Sequence, residues 1–218
     1  AHLRDPEGHW FGLAVRARTI AYSTARVKPS ELSTYAALAA PRCKGKLCLR
    51  SGKHAYNQSL VAMMIAEDGE RATEATVRGW VANLATAPFS NDTLLLKAIA
   101  AGQCDVGIVN SYCLGRVQKE TPDFPVRLFW ADQDAGGTHV NISGAGITKY
   151  AKNREEAIRF LEWLATPEIQ SRFASANFEF PANRHAEPEP VVKAWGPFKQ
   201  QLLNVGKVGK TQPATAQL

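Results

Sequence analysis

"CDVGIVNSYCLG", residues 104–115, decides how this chain folds. A short apolar run lies between turn-forming residues and gives way at once to Asn110 and Ser111. That is the pattern of a buried strand passing straight into a helix. Tyr112 and Cys113 stand side by side at the junction. A phenol and a thiol both bind metals once deprotonated, and both serve equally well as packing groups.

Working outward, strand and helix patterns alternate. "WFGLAVRARTIAYST" (10–24), "GKLCLR" (45–50) and "PVRLFWA" (125–131) read as strands, and "HVNISGAGITKYAK" (139–152) reads as extended with a bend at its glycines. "KPSELSTYAALA" (28–39) predicts a short helix capped by Ser30 or Ser33. Residues 57–69, "ERATEATVRGWVANLA" (70–85) and residues 91–102 predict helices, with Asn57 and Asn91 or Asp92 as N-caps and Gly69 and Gly102 as stops. Two further helices are expected at 153–166 and from Pro167 to 177, then a last one around 190–204 and a frayed tail. No internal repeat is visible. The alternation argues for an α/β fold with a mainly parallel sheet. Ligand sites in such sheets lie at the carboxyl ends of strands. Two loops fall there, "SGKHAYNQS" after "GKLCLR" and "NSYCLG" after "CDVGIV", and each carries a tyrosine, Tyr56 and Tyr112.

The 218 residues, 45% hydrophobic and 21% charged, are enough for one large domain or two lobes. No apolar run approaches the ~20 residues that span a bilayer. The opening "AHLRDPEGHW" lacks the apolar core of a signal peptide, so the chain is expected to be mature, trimmed or a fragment. The net charge of +6 comes without a nucleic-acid-binding motif, and it suits a basic surface, uptake of an anion or docking on an acidic partner. There is no G-x-S-x-G elbow, dinucleotide fingerprint, Walker loop or H-E-x-x-H, so no enzyme is expected. The four cysteines are not spaced as a zinc ribbon or C-x-x-C motif; disulfides and free buried thiols both remain open.

"WFGLAVRARTIAY", "GKLCLRSGKHAYNQSLVAMMIAEDGE", "AIAAGQCDVGIVNSYCLGR", "HVNISGAGITKYAKN" and "EAIRFLEWLATPEIQSRFASANFEFPAN" together resemble the ferric-ion-binding proteins of bacterial ABC importers, which are class II periplasmic binding proteins. The resemblance covers almost the whole chain. It implies a two-lobed α/β fold, mainly parallel in each lobe, with a cleft between. Residues 31–139 would form a complete lobe, and residues 1–30 and 140–218 part of the other, with crossings near 22–30 and 140–148. It implies a periplasmic or other extracytoplasmic protein that carries Fe3+ to an ABC permease. Tyr56 and Tyr112 match iron-ligating tyrosines of the family, and Arg16 or Arg18 matches an arginine that helps hold a synergistic anion such as carbonate.

Two departures accompany the likeness. Cys113 stands where the family has a second, adjacent tyrosine, and thiolate is a soft, oxidisable ligand for Fe3+. Family chains also begin well before the counterpart of "AHLRDPEGHW", so one lobe is expected to be incomplete and to need its own missing N-terminal portion or another protein to cover it. These departures keep a second expectation open, that of a metal-binding-impaired structural subunit of a larger assembly. Cys48 and Cys104 fall in family-like strand positions and form the preferred disulfide pairing if those strands are adjacent.

Overall fold

The computed structural model describes residues 3–203 and Thr215, and its organising element is one long strand, β1 (Phe11–Ser23). The other strands are β2 (Leu47–Cys48), β3 (Val106–Asn110), β4 (Val126–Phe129), β5 (Val140–Ala145) and β6 (Phe180–Pro181). The helices are α1 (Ala55–Asp68), α2 (Glu70–Ala82), α3 (Asp92–Ala100), α4 (Ser111–Glu120), α5 (Arg154–Leu164), α6 (Pro167–Asn177) and α7 (Pro190–Ala194). The first half of β1 pairs with β5 and β6, and from Arg18 onward it pairs with β3 and β4. One unbroken strand therefore belongs to two sheets, and the change falls between Ala17 and Arg18.

The sheet is mixed rather than mainly parallel. β2 and β3 are parallel, joined by the helical crossover that parallel neighbours need, whereas β1 runs antiparallel to all four of its partners. Alternation of elements is compatible with β2 and β3 as parallel neighbours but carries no information on the direction of β1.

The apolar run at 106–109 is continuous because both faces of its sheet are covered. Ile20, Tyr22, Leu47, Val106 and Ile108 pack under α1 and α2 with Leu60, Met63 and Trp80. Ala21, Cys48 and Val109 pack on the other side with Leu95, Leu96, Ile99 and Leu114 of α3 and α4. Gly107 is required here, since a Cβ would lie 2.5 Å from Leu95 and 2.8 Å from the Cys48 carbonyl oxygen. Where β1 meets β5 and β6 the core is smaller, built on Val15, Ala17 and Val140. Helix α5 buries none of its residues, and Ile158, Phe160 and Trp163 stay exposed, so the lobe built on β5 is incomplete within this chain. Among the described residues no helix is long and apolar enough to cross a membrane.

Local structure departs from the sequence reading at three places. Helix α1 starts earlier, with His54 rather than Asn57 as N-cap; its ring nitrogen accepts the Tyr56 N–H. The segment 28–39 forms two short 3-10 turns instead of one helix. The helix expected around 190–204 ends at Ala194, because Gly196 (φ +77) and Pro197 turn the chain; residue 204 and the tail from 206, apart from Thr215, lie outside the described residues.

Candidate functional site

β2 and β3 are parallel neighbours, so the helices that follow them start at the same end of the sheet. Tyr56 lies in the first turn of α1 and Tyr112 in the first turn of α4. The two phenols meet: the Tyr112 hydroxyl donates to the Tyr56 hydroxyl at 3.3 Å. Burial, and then that hydrogen bond, push the Tyr112 phenol well above the ordinary tyrosine range. Guanidinium groups surround the pair. Arg16 and Arg50 lie 5.7 and 5.5 Å from the centre of the Tyr56 ring, and Arg116 lies 5.0 Å from that of Tyr112.

The two arginines named from the sequence have different fates. Arg16 donates to the Ser143 hydroxyl at 2.7 Å and lies 3.5 Å from Glu179, yet its buried Nε has no hydrogen-bond partner. Arg18 is fully buried and every nitrogen of its guanidinium is committed inside the protein. Of the two alternatives the sequence offers, Arg16 or Arg18, only Arg16 therefore keeps an unpaired donor. Arg50, which sequence reasoning passed over, is the better companion to Arg16: its Nε is also buried without a hydrogen-bond partner, and it flanks the same ring. The signal was present in its position at the carboxyl end of β2. An unpaired buried donor is costly, and two of them beside one phenol form a ready cradle for an oxyanion.

Cys113 does not extend the phenol pair as a charged ligand. Its side chain packs in the cluster around Leu95 and Leu114, and burial, followed by the charge of Asp92, pushes the thiol up to about 12. Cys43 is likewise a free thiol, while Cys48 and Cys104 are joined in a disulfide.

Ser59 and Asn141 hold the imidazole of the buried His139, whose Nδ1 has no partner. Desolvation, and then the charge of Arg18, hold its pKa at about 3, against 6.5 for a free imidazole. The unfolded chain therefore takes up this proton first as the pH falls. Stability present above about 6.5 is expected to decline between there and about 3. His139→Gln should flatten that slope when urea midpoints are compared across the range; an unchanged slope would assign acid sensitivity to other groups.

Two helix starts thus bring two phenols together beside guanidinium groups with unpaired donors. The chain matches the family described as bacterial extracellular solute-binding protein over residues 1–200, and it belongs to that family. It is 45% identical over 225 residues to iron uptake protein A2 of Synechocystis sp., covering 100% of this chain and 65% of that protein. It is 26% identical over 191 residues to the Fe(3+)-binding periplasmic protein of Serratia marcescens, covering 86% of this chain and 56% of that protein. A solved Trichodesmium structure, IdiA (FutA) in complex with iron and citrate ligands, superposes with a TM-score of 0.96 at 43% identity, covering 100% of this chain and 71% of that one. The chain thus spans less than two thirds of the length of these curated relatives. The relatives are solute-binding proteins rather than enzymes.

Proposed function

We propose that this chain binds iron(III) as part of a periplasmic solute-binding protein that delivers Fe3+ to an ABC permease, with Tyr56 and Tyr112 as phenolate ligands. The observation that carries the reading is the meeting of the two hydroxyls at 3.3 Å at the mouths of two parallel strands. Phenolate is a hard anionic donor suited to Fe3+, and metal binding displaces the phenol protons. Two phenolates fill only part of the coordination sphere. Arg16 and Arg50, with their unpaired Nε groups, hold an accompanying oxyanion such as carbonate or a citrate carboxylate, which supplies further oxygens. Other ligands come from water or from polypeptide beyond this chain. The same reading divides the lobes where β1 changes sheets, between Ala17 and Arg18, and again near residues 138–140.

Addition of Fe3+ as its citrate complex should produce a visible phenolate-to-iron charge-transfer band. Tyr56→Phe and Tyr112→Phe should each weaken the band and lower affinity by more than the about 10- to 100-fold typical of losing a group that merely supports a ligand. A parent protein without the band would instead favour a structural subunit that has lost its metal, and variants that keep the band would show that other groups hold the iron.

A further inference from the structure

The buried guanidinium of Arg18 touches the starting turns of both tyrosine-bearing helices. Toward α1, its Nε and one terminal nitrogen donate to the Asn57 side-chain oxygen at 3.1 and 2.5 Å, and Asn57 adjoins Tyr56. The Asn57 amide in turn donates to the Arg50 and Ser51 carbonyls, which fixes the loop from which α1 springs. Toward α4, the other terminal nitrogen donates to Asn110 at 3.2 Å and to Asp92 at 3.0 Å. Asp92 also accepts the Asn110 backbone N–H at 2.9 Å. Asn110 occupies the N-cap of α4, yet its side chain makes no capping bond, because its oxygen faces Arg18 instead. That diverts a contact that ordinarily stabilises a helix start.

Arg18 itself has little freedom. Its backbone carbonyl accepts the hydroxyl of the buried Tyr35, which in turn accepts the His139 N–H, and its own N–H donates to the His139 carbonyl. The residue sits at the point where β1 passes from one sheet to the other.

We infer that Arg18 is a positioning residue: through Asn57 on one side and Asp92 and Asn110 on the other, it sets the separation of the Tyr56 and Tyr112 hydroxyls. It touches neither phenol and binds no ligand. The inference rests on the iron-binding reading above for its functional meaning, but its geometric content stands apart from it.

The test uses the double variant Arg18→Met/Asp92→Leu. It removes both members of the buried charge pair together, a change that is often neutral or stabilising when the replacements pack well. Three readouts are compared with the parent: thermal midpoint, Fe3+ affinity with the energy of the charge-transfer band, and the hydroxyl separation in a crystal structure. The expected result is a folded variant with lengthened hydroxyl separation, a shifted or lost band and affinity lower by about 10- to 100-fold. Unchanged separation and an unchanged band in a folded variant would overturn the inference.

If the double variant does not fold, Asn57→Ser cuts only the arm to α1 and leaves the charge pair whole. It should displace Tyr56 and alter the band, and a parent-like site would equally overturn the inference. A parent that shows no band at all defeats the iron reading instead, and the hydroxyl separation then still decides the role of Arg18.

Discussion

Arg18→Met alone is expected to destabilise the fold by about 3–5 kcal/mol, the penalty for removing one partner of a buried ion pair. Both side chains of the Arg18–Asp92 pair are 0% exposed, so water screens neither charge. Without Arg18, Asp92 keeps the Asn110 N–H, while Arg50 at 3.9 Å makes no hydrogen bond to it and one carboxylate oxygen has no hydrogen-bond partner. For a chain of this size the loss should lower the thermal midpoint by roughly 10 °C. Replacing both residues should recover most of it, since the cost lies in the uncompensated carboxylate more than in the pair itself. Guanidinium unfolding of single and double variants measures the coupling directly. A loss in the double variant equal to the sum of the losses of Arg18→Met and Asp92→Leu alone would show that the pair contributes no coupling.

Removing the Cys48–Cys104 disulfide, as Cys48→Ala/Cys104→Ala, should cost about 2–5 kcal/mol. The bridge closes a loop 56 residues long in sequence, from the end of β2 to the turn that enters β3, and that loop contains α1, α2 and α3. Chain-entropy reasoning puts the constraint on the unfolded state at about 4 kcal/mol for a loop of this length. Both cysteines are almost wholly buried, so the alanines also leave a small void near Leu95 and Ile99. The midpoint in guanidinium should fall for the double alanine variant and for the parent under reducing conditions alike. A loss seen only with reductant would point to another cause. Since α1 lies within the loop, Fe3+ affinity measured far below the unfolding midpoint should change much less than stability does.

Much of this was legible in the sequence wherever local signals and burial agreed. "CDVGIV" became β3 because a strand covered on both faces has no reason to alternate. Asn91 caps α3 through its side-chain oxygen, and Gly69 ends α1 at φ +84, a backbone conformation that glycine adopts without strain. The failures share a physical origin in distant contacts. Asn57 looks like an N-cap, but Arg18, thirty-nine positions away, takes its oxygen, so the capping role falls to His54. The direction of β1 and its membership of two sheets depend on partners far along the chain. At the site, the convergence of Tyr56 and Tyr112 follows from β2 and β3 being neighbours, which alternation suggested. The burial of Arg18 and the unpaired Nε of Arg50 do not follow from any local pattern. An arginine in a strand looks the same in sequence whether it faces a cleft or a core.

The long strand β1 also shapes how the protein must be built. Among the described residues it precedes every strand it pairs with, and these lie at residues 106–110, 126–129, 140–145 and 180–181. During synthesis, this stretch of mostly apolar residues therefore waits until residue 181 has been made before its ladder can close. Such non-local pairing slows folding and leaves an unpaired edge exposed in the meantime. The segment that finally unites the two sheets is thus the one most in need of protection while the chain is still emerging.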